Sequence, residues 1–475
     1  MSTAKPRPDT QHELPAALCA DLARVAGPGR LLTDRADCWP YGYDNSRRHA
    51  LPQAVVFASD AGQIAALVRL CADTGLPIVP RGRGTGTTGA TVPDRGGVVL
   101  AFERMDRILR IAPGDRLAIV EPGVINEDLQ RAVGEHGFFW PPDPSSAATC
   151  TIGGNLAFNS AGPRAVKYGT PRENTLGLTA VTGCGELIRT GVLTTKGVVG
   201  YDLTRLIIGS EGTLAIITEA ILKLTPRPEA KRTLRAAYRN IHAAAAAVSA
   251  IMAQPVVPCA LEFMDAAAIA AVRGFAGLDV PESTGAILMI EVDGPAACID
   301  SSVAAVETAA RGEGLLDLRR AESPAEAAAL WKSRKALSPA LRHIAPKKIN
   351  EDVVVPVSRL GEFIERLDRL SQEAGIRIVN FGHAGNGNIH VNLLVDPDDG
   401  DAMTRAHDCL DAIFTLVLQL EGTLSGEHGV GTEKRDFVAR EIDAPTLRVM
   451  ADIKDRLDPA GILNPGKALP PLDPV

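Results

Sequence analysis

Apolar positions in the first half of the chain recur at helix and strand spacing and predict an alternation of the two elements. Asp60 can cap a helix whose apolar face carries Ile64, Leu67, Val68 and Cys71. Strands are predicted in "LPIVP", "GGVVLAF", "LAIVEPG", "ELIRTG" and "GTLAIITEAILKLTPRP", and "INEDLQRAVGEHG" predicts a helix. At the end of this series, Pro226 and Pro228 predict a domain boundary.

The second half of the chain has its own series of strands and helices, which predicts a separate core. Strands are predicted in "LRAAY", "CALEFMD" and "AILMIEV", and the first helix between them in 242–252. Longer helical patterns follow over 325–343, 358–374, 401–420 and 445–457. In contrast, 141–169 is rich in Gly, Asn, Ser and Pro and lacks periodicity, and a loop of that length in a compact domain is usually functional.

Length and composition predict a multidomain globular protein. The 475 residues suggest two or three domains, and the hydrophobic share of 45% and charged share of 23% exclude a disordered chain. A net charge of −7 without any block of Lys or Arg argues against a nucleic-acid partner. The sequence has neither a signal-type apolar segment nor an apolar run of about 18 residues. We therefore expect no membrane span and a cytoplasmic location, with peripheral attachment to the inner membrane left open.

The eight cysteines are far apart and form no cluster with metal-ligand spacing. This spacing disfavours a zinc ribbon, an iron–sulfur cluster and a disulfide framework. If the protein handles electrons, it must therefore pass them to an external acceptor.

The stretch "PRGRGTGTTGA" follows a predicted strand and has the glycine spacing of a dinucleotide-binding fingerprint, at Gly84, Gly86 and Gly89. That fingerprint also requires a helix that opens at the glycines, and Pro93 and Gly96 break any such helix. The loop can still hold a phosphate, because glycines let successive N–H groups converge on an anion and Arg81 or Arg83 can supply charge. A tight turn between strands fits the stretch equally well. The second polar loop, "PPDPSSAATCTIGGNLAFNSAGPRAVKYGT", favours the cofactor interpretation.

These two loops, followed by "GSEGTLAIITEAILKL", resemble the FAD-binding domain of the vanillyl-alcohol oxidase/PCMH flavoprotein superfamily. The resemblance implies that the first loop wraps the FAD pyrophosphate and that the second lies along the isoalloxazine. No His or Cys that could tether FAD stands in 80–90, so we expect non-covalent FAD. The implied cofactor-binding residues are Arg83, Gly84, Thr85, Gly86, Thr87, Pro142, Ser145, Thr149, Gly153, Asn155, Ser160, Ile217 and Asn464.

The stretch "NFGHAGNGNIHVN" contains His383 and His390. The glycines and asparagines between them exclude a regular helix, so a turn leading into the strand "IHVNLLV" would bring the two imidazoles together. In "LSGEHGVGTEKR", the neighbours Glu427 and His428 point in different directions if the segment is extended, and can serve different roles. Imidazole and carboxylate are ligands of zinc and similar ions. Taken alone, the histidines fit a metal site, a simple turn or part of a cofactor pocket.

Both stretches, with "WKSRKALSPAL" and "LNPGK", resemble the C-terminal domain of the FAD-linked D-2-hydroxyacid dehydrogenases. This family includes D-lactate dehydrogenases, glycolate oxidase D-type subunits and D-2-hydroxyglutarate dehydrogenases. The resemblance covers about residues 40–470 and implies an α+β fold whose second domain combines an antiparallel sheet with helices. The predicted division is an N-terminal segment 1–45, a PCMH-type FAD-binding domain 46–228 and an FAD-linked oxidase domain 229–475.

The same resemblance implies a divalent metal, most often zinc in the family, bound by His383, His390 and Glu427. Arg334 would pair with the substrate carboxylate, a task that suits the planar guanidinium, and His428 would be the base. The implied substrate contacts are Arg334, Ser338, Asn392 and His428. D-2-hydroxyglutarate enzymes carry a lysine near the position of Lys347 and Lys348, and the register of these two lysines leaves the length of the substrate open.

The resulting hypothesis is oxidation of a D-2-hydroxy acid to the 2-oxo acid, with hydride passing to flavin N5 and a proton to His428. The electrons would continue to a quinone, a cytochrome or an electron-transfer flavoprotein, and a homodimer is compatible with the family. Three alternatives stay open: an oxygen-using alcohol or lactone oxidase of the same superfamily, an FAD-bearing subunit of a larger electron-transfer complex, and a metal-dependent hydrolase without flavin.

Overall fold

The structure, a computed structural model, describes residues 13–276 and 278–471. These residues form two compact units. The first unit comprises 13–161, 170–226 and 428–471, and the second comprises 162–169 and the described part of 227–427. The chain after Glu427 thus groups with the first unit, whereas the sequence-based prediction places 229–475 in one domain.

The described residues contain helices in both units, numbered here along the chain. They are α1 Ala16–Ala26, α2 Arg35–Cys38, α3 Ala61–Thr74, α4 Asn126–Gly134, α5 Ile152–Phe158, α6 Ala165–Tyr168, α7 Leu203–Ile207, α8 Ile241–Ala253, α9 Ala266–Ala276, α10 Ile299–Ala310, α11 Pro324–Ile344, α12 Leu360–Ala374, α13 Gly400–Gln419, α14 Val438–Glu441 and α15 Ala444–Leu457. None of them combines the length and the apolar character that a membrane crossing needs.

The strands form four sheets. They are β1 Leu31–Leu32, β2 Ala54–Phe57, β3 Ile78–Arg81, β4 Val98–Ala101, β5 Ile108–Ala112, β6 Leu117–Val120, β7 Phe138–Phe139, β8 Thr175–Thr182, β9 Leu187–Gly191, β10 Ala215–Lys223, β11 Thr225–Pro226, β12 Ala230–Tyr238, β13 Ala260–Asp265, β14 Ala286–Gly294, β15 Leu315–Arg320, β16 Lys347–Val354, β17 Arg377–His383 and β18 Asn388–Val395.

The first unit contains a four-stranded sheet with the order β1-β2-β4-β3 and a five-stranded antiparallel sheet with the order β5-β6-β10-β8-β9. Strands β2 and β3 both pair with β4 in parallel, and every residue of β2 and β4 is buried. Continuous apolar runs suit such strands because parallel sheets are covered on both faces. No helix lies between β3 and β4 in this described stretch, as the breakers Pro93 and Gly96 predicted.

The second unit is built on a seven-stranded antiparallel sheet with the order β15-β12-β14-β13-β17-β18-β16. Directly opposed residues share a face of a sheet. The register opposes Glu262 to His383 and His390 to Asp352, so four polar side chains from four strands lie on one face. Further along that face, apolar residues of β13, β14 and β17 pack against α9 and α11.

Most predicted elements are present, and the differences lie where the periodic signal is weak. Asp60 caps α3 by accepting a hydrogen bond from the Gln63 N–H at 2.8 Å. The stretch 141–169, predicted as an irregular loop, contains the short helices α5 and α6. Glycines interrupt the apolar pattern of α5, so contacts with the rest of the unit, and not periodicity, mark this helix.

Candidate functional site

The second unit brings His383, His390 and Glu427 together. His383 ends β17, His390 lies in β18, and a single 3-10 turn, Ala384–Asn386, connects the strands. Gly387 closes this turn with φ 71°, and a Cβ there would lie 1.9 Å from the Val355 carbonyl oxygen, so the turn requires glycine. The ligand atoms of the three residues lie within 4.8 Å of one another. The predicted turn therefore places both imidazoles at one point.

Glu427 is held from two sides. Its backbone N–H donates to Oδ2 of Asp352, which is fully buried and also accepts from the Gly426 N–H. Its Oε2 accepts from the Gly162 N–H at 2.7 Å, and Oε1 lies 3.2 Å from His383 Nε2 and 3.8 Å from His390 Nε2. One carboxylate oxygen is thus occupied by the backbone while the other faces both imidazoles.

Glu262 is a buried carboxylate that sequence analysis did not single out. Its Oε1 lies 2.5 Å from His383 Nδ1, and its Oε2 accepts from Arg334 Nε at 2.9 Å and Nη2 at 2.8 Å. The Arg334 guanidinium also lies over the Phe381 ring, with Cζ 4.7 Å from its centroid. A signal for Glu262 exists in the sequence, since a charged residue inside the strand "ALEFMD" must have a partner if the strand is buried.

The electrostatics of this cluster favour positive charge between the carboxylates. Burial alone would lower the pKa of His383, but Glu262 and Glu427 outweigh it and raise the pKa to about 10. Burial tends to raise the pKa of Glu262, yet His383 and Arg334 hold it below its ordinary value. The buried carboxylates stabilise positive charge at this point, and two imidazoles and a carboxylate are a ligand set that suits a divalent ion such as zinc.

The other predicted substrate residues occupy different environments. Asn392 is buried on β18, where its Nδ2 donates to the Val379 and His390 carbonyls, and its Oδ1 makes no hydrogen bond within the part of the chain described. Ser338 lies on α11, but its side chain is outside the described part of the structure. The His428 carbonyl accepts from the Thr88 hydroxyl at 3.4 Å within the first unit.

The register of β16 shows which of Lys347 and Lys348 is on the same face of the sheet as His390. Lys348 stands opposite Leu394 and Asp352 opposite His390, so Lys348 is on the face of the sheet that carries His390. Lys347, the preceding residue of the strand, is on the other face. Of the two lysines, Lys348 is therefore the one placed toward the candidate site.

The first unit contains a pocket with the character of a cofactor site. It is lined by the end of β3 and the loop after it, by α5, by the segment 207–217 and by Asn464. Asn464 Nδ2 donates to the carbonyls of Ala90 and Glu211, while its Oδ1 is buried and makes no hydrogen bond to a described residue. The Ser210 hydroxyl also lines the pocket, and it too is buried without a hydrogen bond to a described residue. Two polar atoms of this kind fit a polar cofactor such as FAD, which can bond to both.

The predicted cofactor residues divide into three groups. Gly153, Ile217 and Asn464 line the pocket. Asn155 is buried but bonds inside the unit, where it accepts from Asn126 Nδ2 at 2.9 Å. The remaining ones lie outside the lining: Arg83, Gly84, Thr85, Gly86, Thr87, Pro142, Ser145, Thr149 and Ser160.

The two arginines of the first loop have different environments. Arg81 is buried and donates to the Tyr43 carbonyl at 2.5 Å, and Asp44 lies near enough to act on its pKa, which burial lowers. Arg83 is exposed and pairs with Glu103 at 3.6 Å. Of the two, Arg83 is the one available to an anion in solvent, and Arg81 holds the loop to the segment before it.

Glu211 stands in the segment "GSEGTL" and is not among the cofactor residues predicted from the sequence. Glu211 lines the pocket at φ 54°, and its carboxylate accepts from the Val430 N–H at 2.6 Å and the Gly431 N–H at 2.8 Å. Burial raises the pKa of this carboxyl against the lowering effect of those two N–H groups. Glu211 therefore ties the pocket to the chain that follows His428.

Two adjacent glycines of α5 provide a test of how tightly the pocket is built. A Cβ on Gly153 would lie 2.6 Å from Pro122 Cβ and 2.9 Å from its carbonyl oxygen, whereas on Gly154 it would meet only the Thr151 hydroxyl, at 3.2 Å. We expect Gly153→Ala to lower the free energy of unfolding by about 1–3 kcal/mol and to weaken FAD retention, because the helix must shift away from Pro122. Gly154→Ala is the matched control for stability and should lower the free energy of unfolding much less, whereas Gly154 also lines the pocket and is no control for FAD retention. Thermal unfolding and flavin absorbance measure the two effects, and an equal loss of stability in the two variants would contradict the account.

Comparison with family models gives two matches. The family described as FAD linked oxidases, C-terminal domain, matches residues 227–468. The FAD binding domain family matches residues 52–191.

Curated relatives are similar over nearly the whole chain. The glycolate oxidase subunit GlcD of Bacillus subtilis is 40% identical over 94% of this chain and 95% of that protein. GlcD of Escherichia coli K12 is 35% identical, over 96% and 91%. A D-lactate dehydrogenase of Anaerostipes hadrus is 34% identical, over 88% and 90%.

Solved structures support the fold alone. A p-cresol methylhydroxylase with bound substrate has a TM-score of 0.76 at 17% identity, covering 96% of each chain. An alkyldihydroxyacetonephosphate synthase has a TM-score of 0.74 at 19% identity, covering 95% of this chain and 86% of the other.

Proposed function

The chain belongs to the FAD-linked oxidases, a family of oxidoreductases, and we propose that it oxidises a D-2-hydroxy acid to the corresponding 2-oxo acid. The observation that carries this proposal is the cluster of His383, His390 and Glu427 in one unit with Arg334. Ligands for a cation and an arginine for a carboxylate are what recognition of a 2-hydroxy acid requires, since that substrate offers a hydroxyl beside a carboxylate. A metal-dependent hydrolase leaves the FAD-binding domain without a role.

The names of the relatives support this substrate class. Glycolate and lactate are both small 2-hydroxy acids, and proteins named for them share 34% to 40% identity with this chain. Lys348 lies on the same sheet face as His390, where it could meet a second carboxylate. A dicarboxylic substrate such as D-2-hydroxyglutarate therefore belongs in the substrate screen beside D-lactate and glycolate.

In the proposed reaction, Arg334 binds the substrate and His428 takes up a proton. Arg334 uses its Nε and Nη2 donors on Glu262 and offers the remaining donors of its fork to the substrate carboxylate. His428 accepts the hydroxyl proton, since imidazole is the side chain that most often acts as a general base. A divalent ion held by His383, His390 and Glu427 would bind the substrate oxygens and lower the pKa of the hydroxyl. When bound, FAD supplies the acceptor for the hydride.

Reduced flavin has to lose its electrons before the next turnover. All eight cysteines are free thiols, and no group of three or more His, Cys, Asp or Glu other than His383, His390 and Glu427 has metal-binding geometry among the described residues. We propose that reduced flavin passes its electrons to an external acceptor such as a quinone, a cytochrome or an electron-transfer flavoprotein.

The proposal is tested by reduction of the bound flavin without oxygen. Purified protein should carry FAD, and its absorbance should bleach on addition of a D-2-hydroxy acid and not of the L-isomer. Arg334 and the metal ligands would fix the carboxylate and the hydroxyl of the substrate, and the α-hydrogen must face the flavin. We therefore expect a preference for the D-isomer of about 100-fold or more in the bleaching rate. Glycolate, which has no enantiomers, serves as the control for chain length. Equal bleaching by both isomers would contradict the proposal. In a separate turnover assay in air, peroxide as the main product would contradict transfer of the electrons to a quinone, a cytochrome or an electron-transfer flavoprotein.

A further inference from the structure

We infer that Glu262 is a positioning residue that sets the orientation of His383 and Arg334 together, so that one carboxylate controls both metal binding and substrate binding. The inference rests on the proposed function, because it assigns the support of that same site. Glu262 touches neither substrate nor cofactor in this role and acts through its two neighbours.

The geometry that carries the inference involves both oxygens of one side chain. Oε1 lies 2.5 Å from His383 Nδ1, and Oε2 accepts two N–H groups from Arg334, at 2.9 and 2.8 Å. Glu262 is 2% exposed and stands directly opposite His383 in the β13–β17 pair. A short cross-strand pair in a buried sheet has little freedom to move, so the carboxylate is a fixed point for both partners.

The contact with His383 fixes which nitrogen is available as a ligand. A carboxylate can only accept, so it requires a hydrogen on Nδ1, and the lone pair of neutral imidazole is then on Nε2. Nε2 is the atom that lies 3.2 Å from Glu427 Oε1, inside the ligand cluster. Carboxylates that hold metal-ligating histidines in this way typically change metal affinity about 10-fold to 100-fold when they are removed.

The contact with Arg334 fixes the direction of the guanidinium. Glu262 Oε2 occupies the Nε and Nη2 donors, and the ring of Phe381 supports the guanidinium from one face. The guanidinium group is planar, so hydrogen bonds to two of its donors fix the plane in which the remaining donors bind a carboxylate. The metal site and the substrate-binding arginine are therefore oriented by the same group.

Glutamine in place of Glu262 separates shape from charge. The amide has nearly the same size, but it accepts on one side only and donates on the other, so it cannot satisfy both His383 Nδ1–H and the Arg334 donors. Glu291→Gln is the matched control. Glu291 is a buried glutamate on the same sheet face, bonded to Lys231, Thr233 and Trp331, and it does not contact His383 or Arg334 through any bond the structure shows between described residues.

The experiment uses FAD-loaded full-length protein. Zinc affinity is measured by competition with a chelating dye, and KM and kcat by anaerobic turnover with an artificial dye acceptor. We expect Glu262→Gln to weaken zinc binding about 10-fold to 100-fold and to raise KM about tenfold even at saturating zinc, with FAD content unchanged. Glu291→Gln should keep zinc affinity and KM within about threefold of the unsubstituted protein. Unchanged values for Glu262→Gln would overturn the inference.

Arg334→Met provides a second test if Glu262→Gln folds poorly. It leaves the Glu262–His383 contact in place, so KM should rise while zinc affinity changes by less than about threefold. Loss of zinc in Arg334→Met would overturn the inference, because orientation of His383 would then depend on the arginine. Unsubstituted protein that takes up no zinc or other divalent ion overturns both the inference and the metal part of the proposed function. Normal zinc uptake with a normal Glu262→Gln overturns the inference alone.

Discussion

His390→Ala should lower kcat/KM by about three orders of magnitude or more, because a metal that polarises the substrate oxygens contributes several kcal/mol to the barrier. His390 supplies one of three ligand atoms that lie within 4.8 Å of one another, and alanine leaves two. Its partners His383 and Glu427 are held by Glu262, Asp352 and Gly162, so they cannot rearrange to fill the missing position. Metal content per flavin, measured by elemental analysis, should fall with activity.

FAD content should be unaffected in this variant. The pocket assigned to FAD is lined by residues of the first unit, whereas His390 belongs to the second. His407→Ala is the matched control, since His407 is exposed on α13 and takes no part in the ligand cluster. Flavin bleaching that persists at the normal rate in His390→Ala, or in protein treated with a chelator, would remove the metal from the mechanism.

The sequence predicts the elements of this fold well where the apolar pattern is regular. The helix capped by Asp60 and the buried strands on either side of the glycine loop follow from periodicity and from local breakers. The family resemblance is confirmed, and with it FAD binding and the α+β architecture. Local rules fail in α5, where glycines interrupt the apolar pattern and the helix packs into the core of the first unit, and in α6, whose four residues are too few to show a helical period.

The candidate site is less predictable because its contacts join residues distant in sequence. The turn in "NFGHAGNGNIHVN" brings His383 and His390 together because both residues belong to one hairpin. Glu262 is 121 residues from His383, and only the neighbouring positions of β13 and β17 in the sheet make them partners. Strand order is set by the whole core, so no local pattern identifies this contact.

Glu211→Ala should lower the free energy of unfolding of the first unit by about 2–6 kcal/mol, since two backbone N–H groups lose their acceptor at about 1–3 kcal/mol each. These are the N–H groups of Val430 and Gly431, and Gly431 is buried. FAD retention should fall with stability because Glu211 itself lines the pocket. Urea unfolding and flavin absorbance after gel filtration measure the two effects.

Two further variants separate the loss of the acceptor from the loss of a charge. Glu211→Gln keeps one acceptor oxygen and should be intermediate, whereas Glu219→Ala, on β10 of the same unit, removes a half-buried carboxylate bonded to Thr179 and should cost less than about 1 kcal/mol. Val430 and Gly431 follow His428 closely, so kcat in Glu211→Ala should stay low even when excess FAD restores the flavin content. Full recovery of kcat by added FAD would show that Glu211 supports the pocket and leaves the chain around His428 unaffected.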